Sequence, residues 1–238
     1  DSNIGIENIK DMLGRILPQF MNKIKLSIIT INLNNSKGLD KTIESVLEQS
    51  FQNYEYIVID GKSIDNSLNI IKRYKHKITY WVSEPDTGIY NAMNKGICQA
   101  HGEYCLFLNS GDYLVNRFVL EKVFLHDVDE DIIFGNLIII TKSKRTQRIA
   151  GKKKLTFFDI YNNAVKHQAS FIKRAMFYKF GFYNENLKIV ADWEFIVKSI
   201  GLGQASYRYI DLDISYFDNE GISSSNNKVA KNEARSII

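Results

Sequence analysis

The sequence predicts an α/β fold: a doubly wound mixed sheet flanked by helices, forming a single domain. Three observations predict it. Short, almost unbroken apolar runs recur in the first half, as strands buried on both faces require. Stretches with apolar residues at helical spacing lie between them, the alternation that builds a parallel sheet covered on both sides. No linker rich in Pro, Gly or Ser divides the chain, and no internal repeat is visible.

Residues 1–20 read as an amphipathic extension, because Ile9, Met12, Leu13, Ile16, Leu17 and Phe20 fall on one helical stripe. Packing on the domain and docking on a membrane or partner are its two readings. A start-like Met21 leaves open whether the extension is native. The domain runs over 21–226. Its first strand is 26–32, followed by a helix over 39–50, a strand at 56–60, a helix over 67–74, a strand at 78–82, a helix over 89–100 and a strand at 104–108. After Asp112 the pieces are longer and more mixed: a helix near Leu120, a strand at 132–140, a basic loop, and helices near Phe158, Arg174 and Trp193. Residues 227–238 form a tail, mobile or helical.

The 238 residues, 45% of them hydrophobic, are enough to bury a sizeable core. A net charge of +4, evenly spread, argues against nucleic-acid binding and leaves room for weak attraction to anionic substrates or membranes. The densest basic stretch, Lys142, Lys144, Arg145, Arg148, Lys152, Lys153 and Lys154, reads as a solvated hairpin loop or as a surface for anionic lipid or a phosphorylated acceptor. Cys98 and Cys105, both read as core residues, suggest a reducing compartment. No apolar run approaches the roughly 18 to 20 residues that span a bilayer. The expected location is the cytoplasm, with peripheral membrane contact left open.

In an open parallel sheet, ligands bind beyond the carboxyl ends of the strands, so the polar residues there carry the argument. Those ends are Thr30 to Asn34, Asp60 to Asp65, Glu84 to Gly88 and Asn109 to Asp112. A carboxylate such as Asp60 can accept bonds from a nucleobase imide or a ribose hydroxyl, or it can simply form a turn. Asp112, with Asn109 beside it, offers the oxygen ligands that Mg2+ or Mn2+ prefer, or it caps a tight turn.

Five segments follow in order: 27–34 (SIITINLN), 45–50 (SVLEQS), 57–65 (IVIDGKSID), 83–96 (SEPDTGIYNAMNKG) and 102–112 (GEYCLFLNSGD). Together they resemble the family 2 glycosyltransferases of the GT-A fold, particularly bacterial members that build cell-surface polysaccharides, over about residues 24–225. The resemblance implies an inverting transferase that takes a nucleotide-sugar donor, such as a UDP-sugar, with a divalent metal (Mn2+ or Mg2+), and a glycan or lipid-linked glycan acceptor. It implies a nucleotide-sugar half at about 24–115 and an acceptor half at about 116–226. Asp60 and Asp86 then contact the base and ribose side of the donor, Asn32, Lys95 and Asn109 lie near the nucleotide, and Asp112 holds the metal.

Segments 167–171 (HQASF) and 184–195 (NENLKIVADWEF) resemble the acceptor-side motifs, which makes Asp192 the catalytic base. Such a base is needed because a sugar hydroxyl is a poor nucleophile at neutral pH. Asp192 also reads as a helix N-terminal carboxylate favoured by the dipole. His167 reads as a donor or acceptor contact or as structural, and Trp193 as an acceptor platform or as core. The pattern departs from the family at three places. Asn109 and Gly111 stand where Asp is usual in the metal motif, Leu33 where an aromatic often stacks on the base, and Ala191 where an acid precedes the base. Gly201 to Ser206 begins like a dinucleotide fingerprint but lies between a helix and a strand in the wrong order, so it reads as a helix C-terminal turn. Gly221 to Ser225 resembles a loop closing the acceptor side.

Two rivals stand beside the transferase. A sugar nucleotidyltransferase would need a Gly-rich loop after the first strand, and 30–36 contains no Gly. A catalytically weak or inactive nucleotide-sugar-binding module gains weight from the thinned metal motif. Donor sugar, nucleobase, acceptor, linkage and oligomeric state stay open.

Overall fold

The computed structural model describes residues 23–125, 127–141, 143–218 and 227–237. The 1–20 extension, Lys142 and the 221–225 loop lie outside the described residues. Strands β1 (Leu26–Asn32), β2 (Tyr54–Asp60), β3 (Tyr80–Ser83) and β4 (Tyr104–Phe107) are parallel, in the order β3-β2-β1-β4. The helices between them are α1 (Ser36–Leu47), α2 (Ser67–Tyr74) and α3 (Ile89–Gln99). The chain then adds β5 (Tyr113–Leu114), α4 (Val119–Phe124), β6 (Ile132–Ile140), β7 (Thr146–Ile149), α5 (Phe157–Tyr161), a 3-10 turn at His167–Ala169, β8 (Ser170–Lys173), α6 (Arg174–Phe180), α7 (Ala191–Ile196), β9 (Tyr207–Asp218) and α8 (Asn227–Ile237). β8 pairs antiparallel with both β4 and β6, β9 runs parallel to β6, and β5 returns antiparallel along β9. The sheet is therefore mixed, its first half parallel.

Alternation along the parallel strands feeds two cores. Ile29, Ile31, Ile57 and Ile59 face one cluster with Met93 and Ile97 of α3 and with α7, while Leu26, Ile28, Tyr56 and Val58 face a second with Leu39, Ile43 and Val46 of α1. Every residue of β1 is buried, which explains its unbroken apolar run.

Several boundaries differ from the sequence reading; β2, for instance, begins at Tyr54 instead of 56. α1 begins at Ser36 because the Asn35 side chain accepts from Gly38 N and caps it. β3 lies two residues late, set by pairing of Ile57 with Tyr80. The basic stretch is a hairpin turn continuing into β7, whose Arg148 pairs with Asp211 and Asp213 of β9. One burial expectation is corrected: Cys105 is buried, but Cys98 is exposed, because the buried stripe of α3 runs through Ala92, Met93, Gly96 and Ile97 and position 98 falls off it. The tail is helical and docked, with Glu233 accepting from Lys188 N and Ile189 N. Gly203 follows a π-helical turn (Val197–Leu202) that continues α7, so the glycine segment ends a helix.

Candidate active site

Four strand ends meet at the C-terminal edge of the parallel strands, and their loops are laced together. Asp60, at the end of β2, is fully buried, and its Oδ1 accepts from Asn32 Nδ2 at 2.7 Å and Ser63 Oγ at 2.5 Å. Its Oδ2 accepts from Ser63 N at 3.0 Å and Ser83 Oγ at 2.6 Å. One carboxylate thus ties the ends of β1, β2 and β3 together. Asn34, in the left-handed region at φ 52°, accepts from Ile64 N, and Ser36 N donates to Asp65. Asn35 Nδ2 reaches the Ser110 carbonyl, which joins the β1 loop to the β4 loop.

Asp86 accepts from Gly88 N at 3.0 Å and lies across Gly61. A Cβ at position 61 would collide with Asp86 Oδ2 and press on Leu33 Cδ1 at 3.3 Å. Leu33, half exposed, Gly61 and Asp86 therefore form a shallow cradle that glycine keeps open. Lys95 is turned the other way: its Nζ pairs with Glu84 at 2.7 Å and donates to the Pro85 carbonyl at 2.9 Å. It braces the loop that carries Asp86.

The 109–112 turn is held from α1, where Thr42 Oγ1 donates to the Asp112 carbonyl at 2.7 Å and accepts from Gly111 N at 3.0 Å. Gly111 has φ 110°, a conformation that costs other residues heavily, which accounts for glycine at that place of the motif. The Asp112 side chain is almost wholly buried and accepts from Asn109 N at 3.2 Å. Asn109 Oδ1 and Asn32 Oδ1 are buried with no protein hydrogen-bond partner. Buried oxygens of this kind normally have a partner, so they mark places where a ligand or water completes the set. An amide oxygen beside a carboxylate is a donor pair that suits a hard cation retaining diphosphate and water ligands. These two residues fit such an ion, although no group of three or more His, Cys, Asp or Glu gathers among the described residues.

The cluster around Asp192 is assembled from distant parts of the chain. β8 runs antiparallel to β4, so the 3-10 turn that precedes it places His167 beyond the end of β4. Asp192 lies in the first turn of α7 and Tyr90 in the first turn of α3. Asp192 Oδ2 meets His167 Nδ1 at 2.6 Å, and its Oδ1 accepts from Tyr90 OH at 2.9 Å. Burial acts to raise the Asp192 pKa, but attraction to His167 and hydrogen bonds from His167, Tyr90 and Trp193 N outweigh it and hold the carboxyl below its ordinary value. The Tyr90 phenol is pushed well above 10.0 by burial and by the Asp192 charge. Burial depresses the nearby Lys166 ammonium. His167 Nε2 is buried without a protein partner.

Trp193 packs in the core, its Nε1 donating to the carbonyls of Ile160 and Tyr161, so the core reading of that residue holds. The family model described as Glycosyl transferase family 2 matches residues 27–186. The chain belongs to glycosyl transferase family 2. An uncharacterised glycosyltransferase of Mycobacterium tuberculosis is 34% identical over 182 residues, covering 73% of this chain and 68% of the relative. The poly(ribitol-phosphate) β-N-acetylglucosaminyltransferase TarP of Staphylococcus aureus is 32% identical over 157 residues, 63% of this chain and 48% of TarP. The crystal structure of S. aureus TarS residues 1–349 in complex with UDP-GlcNAc superposes with a TM-score of 0.73 at 22% identity, covering 90% of this chain and 64% of that one. The fold is accordingly that of the GT-A glycosyltransferases.

Within this family 2 chain, the structure gathers Asn32 with Asp60, Asn109 with Asp112, and Asp86 with Gly61, each at a strand end. Sequence reasoning left His167 between a ligand contact and a structural residue and passed over Tyr90, Ser63 and Ser83 entirely. Ser63 follows Asp60 and Ser83 ends β3, both within motifs already singled out, so their spacing could have found them. Nothing local signals that Tyr90 reaches Asp192, because 102 residues separate them.

Proposed function

We propose that this chain is an inverting glycosyltransferase that moves a sugar from a nucleoside-diphosphate donor, a UDP-sugar, to an acceptor hydroxyl of a glycan or lipid-linked glycan during bacterial cell-surface polysaccharide synthesis. The observation that carries the reading is the Asp192 carboxylate, held ionised between Tyr90 and His167 in a family 2 chain. Each oxygen accepts one side-chain bond, and the carboxylate keeps lone-pair capacity for an incoming hydroxyl. Asp192 takes the proton of that hydroxyl as it attacks the anomeric carbon in line with the departing diphosphate.

The donor is assigned to the half at about 24–115, with the Leu33–Gly61–Asp86 cradle and Asn32 Oδ1 on the nucleoside side. Asp60 acts by fixing the loops around that side, since both its oxygens are already engaged. Lys95 acts through the 84–88 loop. Asp112 and Asn109 Oδ1 would hold Mg2+ or Mn2+, whose charge stabilises a leaving diphosphate. The acceptor is assigned to the half at about 116–226, facing His167 and Asp192.

A thermal-shift screen of UDP, GDP, CDP and dTDP, with and without Mn2+, tests the reading, since a ligand bound only by the native state raises its melting temperature. A metal-dependent rise with UDP is expected. No rise with any nucleotide would move the chain to the inactive-module alternative, which the Asn109 and Gly111 departures favour.

A further inference from the structure

Eleven large hydrophobic side chains are strongly exposed among the described residues, and six of them, Phe157, Phe158, Tyr161, Tyr178, Phe182 and Leu202, crowd one end of the acceptor half. Phe158 is 73% and Leu202 70% exposed. Their elements touch. Phe157 of α5 lies 3.6 Å from the Cβ position of Gly201, next to Leu202, and Gly203 abuts Phe180 at the end of α6. Tyr178 and Phe182 stack edge to face at 5.5 Å. The face therefore runs from α5 across the end of the π-helical turn to the end of α6.

Its charge is one-sided. The three segments that build it, 150–162, 174–183 and 197–206, carry Lys152, Lys153, Lys154, Arg174, Lys179 and Lys198 against a single carboxylate, Asp159. Asp159 is already paired with Lys152, and Lys198 with Glu194 of α7, so Lys153, Lys154, Arg174 and Lys179 carry the excess. Lys153, Lys154 and Lys179 are exposed. Apolar patches of this kind on a single chain normally have a partner. Aromatic rings standing among lysines match the boundary of an anionic bilayer, where rings enter the headgroup level and ammonium groups meet lipid phosphates. No helix among the described residues is long and apolar enough to cross a membrane.

We propose that this face docks the protein on an anionic membrane surface. Tyr161 lies edge-on to Trp193 at 6.0 Å, so the face packs on α7, the helix that carries Asp192. On the proposed transferase reading, an acceptor anchored in lipid would be held on the same half of the protein as Asp192. The docking itself does not rest on the transfer reaction and is measured without donor or acceptor.

The test is sedimentation of the full chain with vesicles of equal parts phosphatidylcholine and phosphatidylglycerol, and with phosphatidylcholine alone. Binding to the anionic vesicles that weakens with added salt is expected. Phe158→Ser with Leu202→Ser should lower the partition coefficient tenfold or more, by removing two apolar side chains from the interface. Lys153→Glu with Lys154→Glu should lower it roughly fivefold per lysine. An unchanged melting temperature shows that the variants are folded. Wild-type protein that ignores anionic vesicles would overturn the proposal. So would full binding by the Phe158 and Leu202 variant, which would move the contact elsewhere, residues 1–20 included. A dimer in size-exclusion chromatography that the same variant splits would make the face a contact between copies and would also overturn it.

Discussion

Asp60 and Asp192 are both carboxylates at the ligand edge of one sheet, but the protein holds them in different ways. Asp60 is fully buried and receives four hydrogen bonds from three short, neighbouring segments, so its lone pairs are spent on the fold. Asp192 is only partly buried and receives one side-chain bond on each oxygen, from residues that reach it across the domain. The first arrangement makes a rigid platform, and the second leaves a carboxylate with lone-pair capacity to spare, as the proposed base requires. The Asp60 site is thus built by local lacing of loops, and the Asp192 site by long-range convergence.

The sharpest break of that comparison is Asp192→Asn, which removes the base while keeping the shape. Transfer should fall by about a hundredfold to ten-thousandfold, the range expected for a general base. UDP binding, measured by thermal shift in parallel, should stay. Retained transfer would return Asp192 to the platform class.

Asp60→Ala is expected to do the opposite. Leaving the donors of Asn32, Ser63 and Ser83 unpaired should cost at least about 3 kcal/mol of stability, at about 1 to 3 kcal/mol for each unsatisfied buried group. The urea midpoint would register it. A variant as stable as the wild type, but unable to bind UDP, would show that Asp60 contacts the nucleotide directly.

Gly61→Ala probes the cradle without removing a polar group. The added methyl displaces Asp86 or Leu33, so UDP affinity should drop about tenfold, equivalent to about 1.4 kcal/mol, with the fold retained. Titration calorimetry separates that loss from a change in stability.

The smallest effect sharpens the acceptor side. In His167→Ala, burial no longer meets the opposing pull of His167, so the Asp192 pKa should rise and the acid limb of the pH–rate profile should move to higher pH. The sign for stability follows the same shift. Because the folded carboxyl lies below its ordinary 3.8, its ionised form stabilises the fold above that pH, and the contribution is lost as pH falls through the lower folded value. His167→Ala should therefore flatten acid stability as well as moving the rate profile. An unmoved acid limb would leave His167 with packing alone.

The sequence by itself determined the parallel half and its strand ends. Unbroken apolar runs mark strands buried on both faces, and the polar residues that stop them must lie where the sheet ends. The boundaries of β1, α2 and β6 coincide with their patterns for that reason. The 167–171 and 184–195 motifs also contain His167 and Asp192, which the structure brings into contact. Only the tertiary structure decided what those residues do to one another. The bonds from Tyr90 and His167 to Asp192 depend on an antiparallel β8 beside β4 and on Tyr183, whose ring touches both Tyr90 of α3 and Phe195 of α7, and no sequence period encodes contacts across 25 and 102 positions. The exposed face of α5 was hidden for a related reason: an aromatic pair reads as core until the packed structure shows that only Ile160 of that helix is buried.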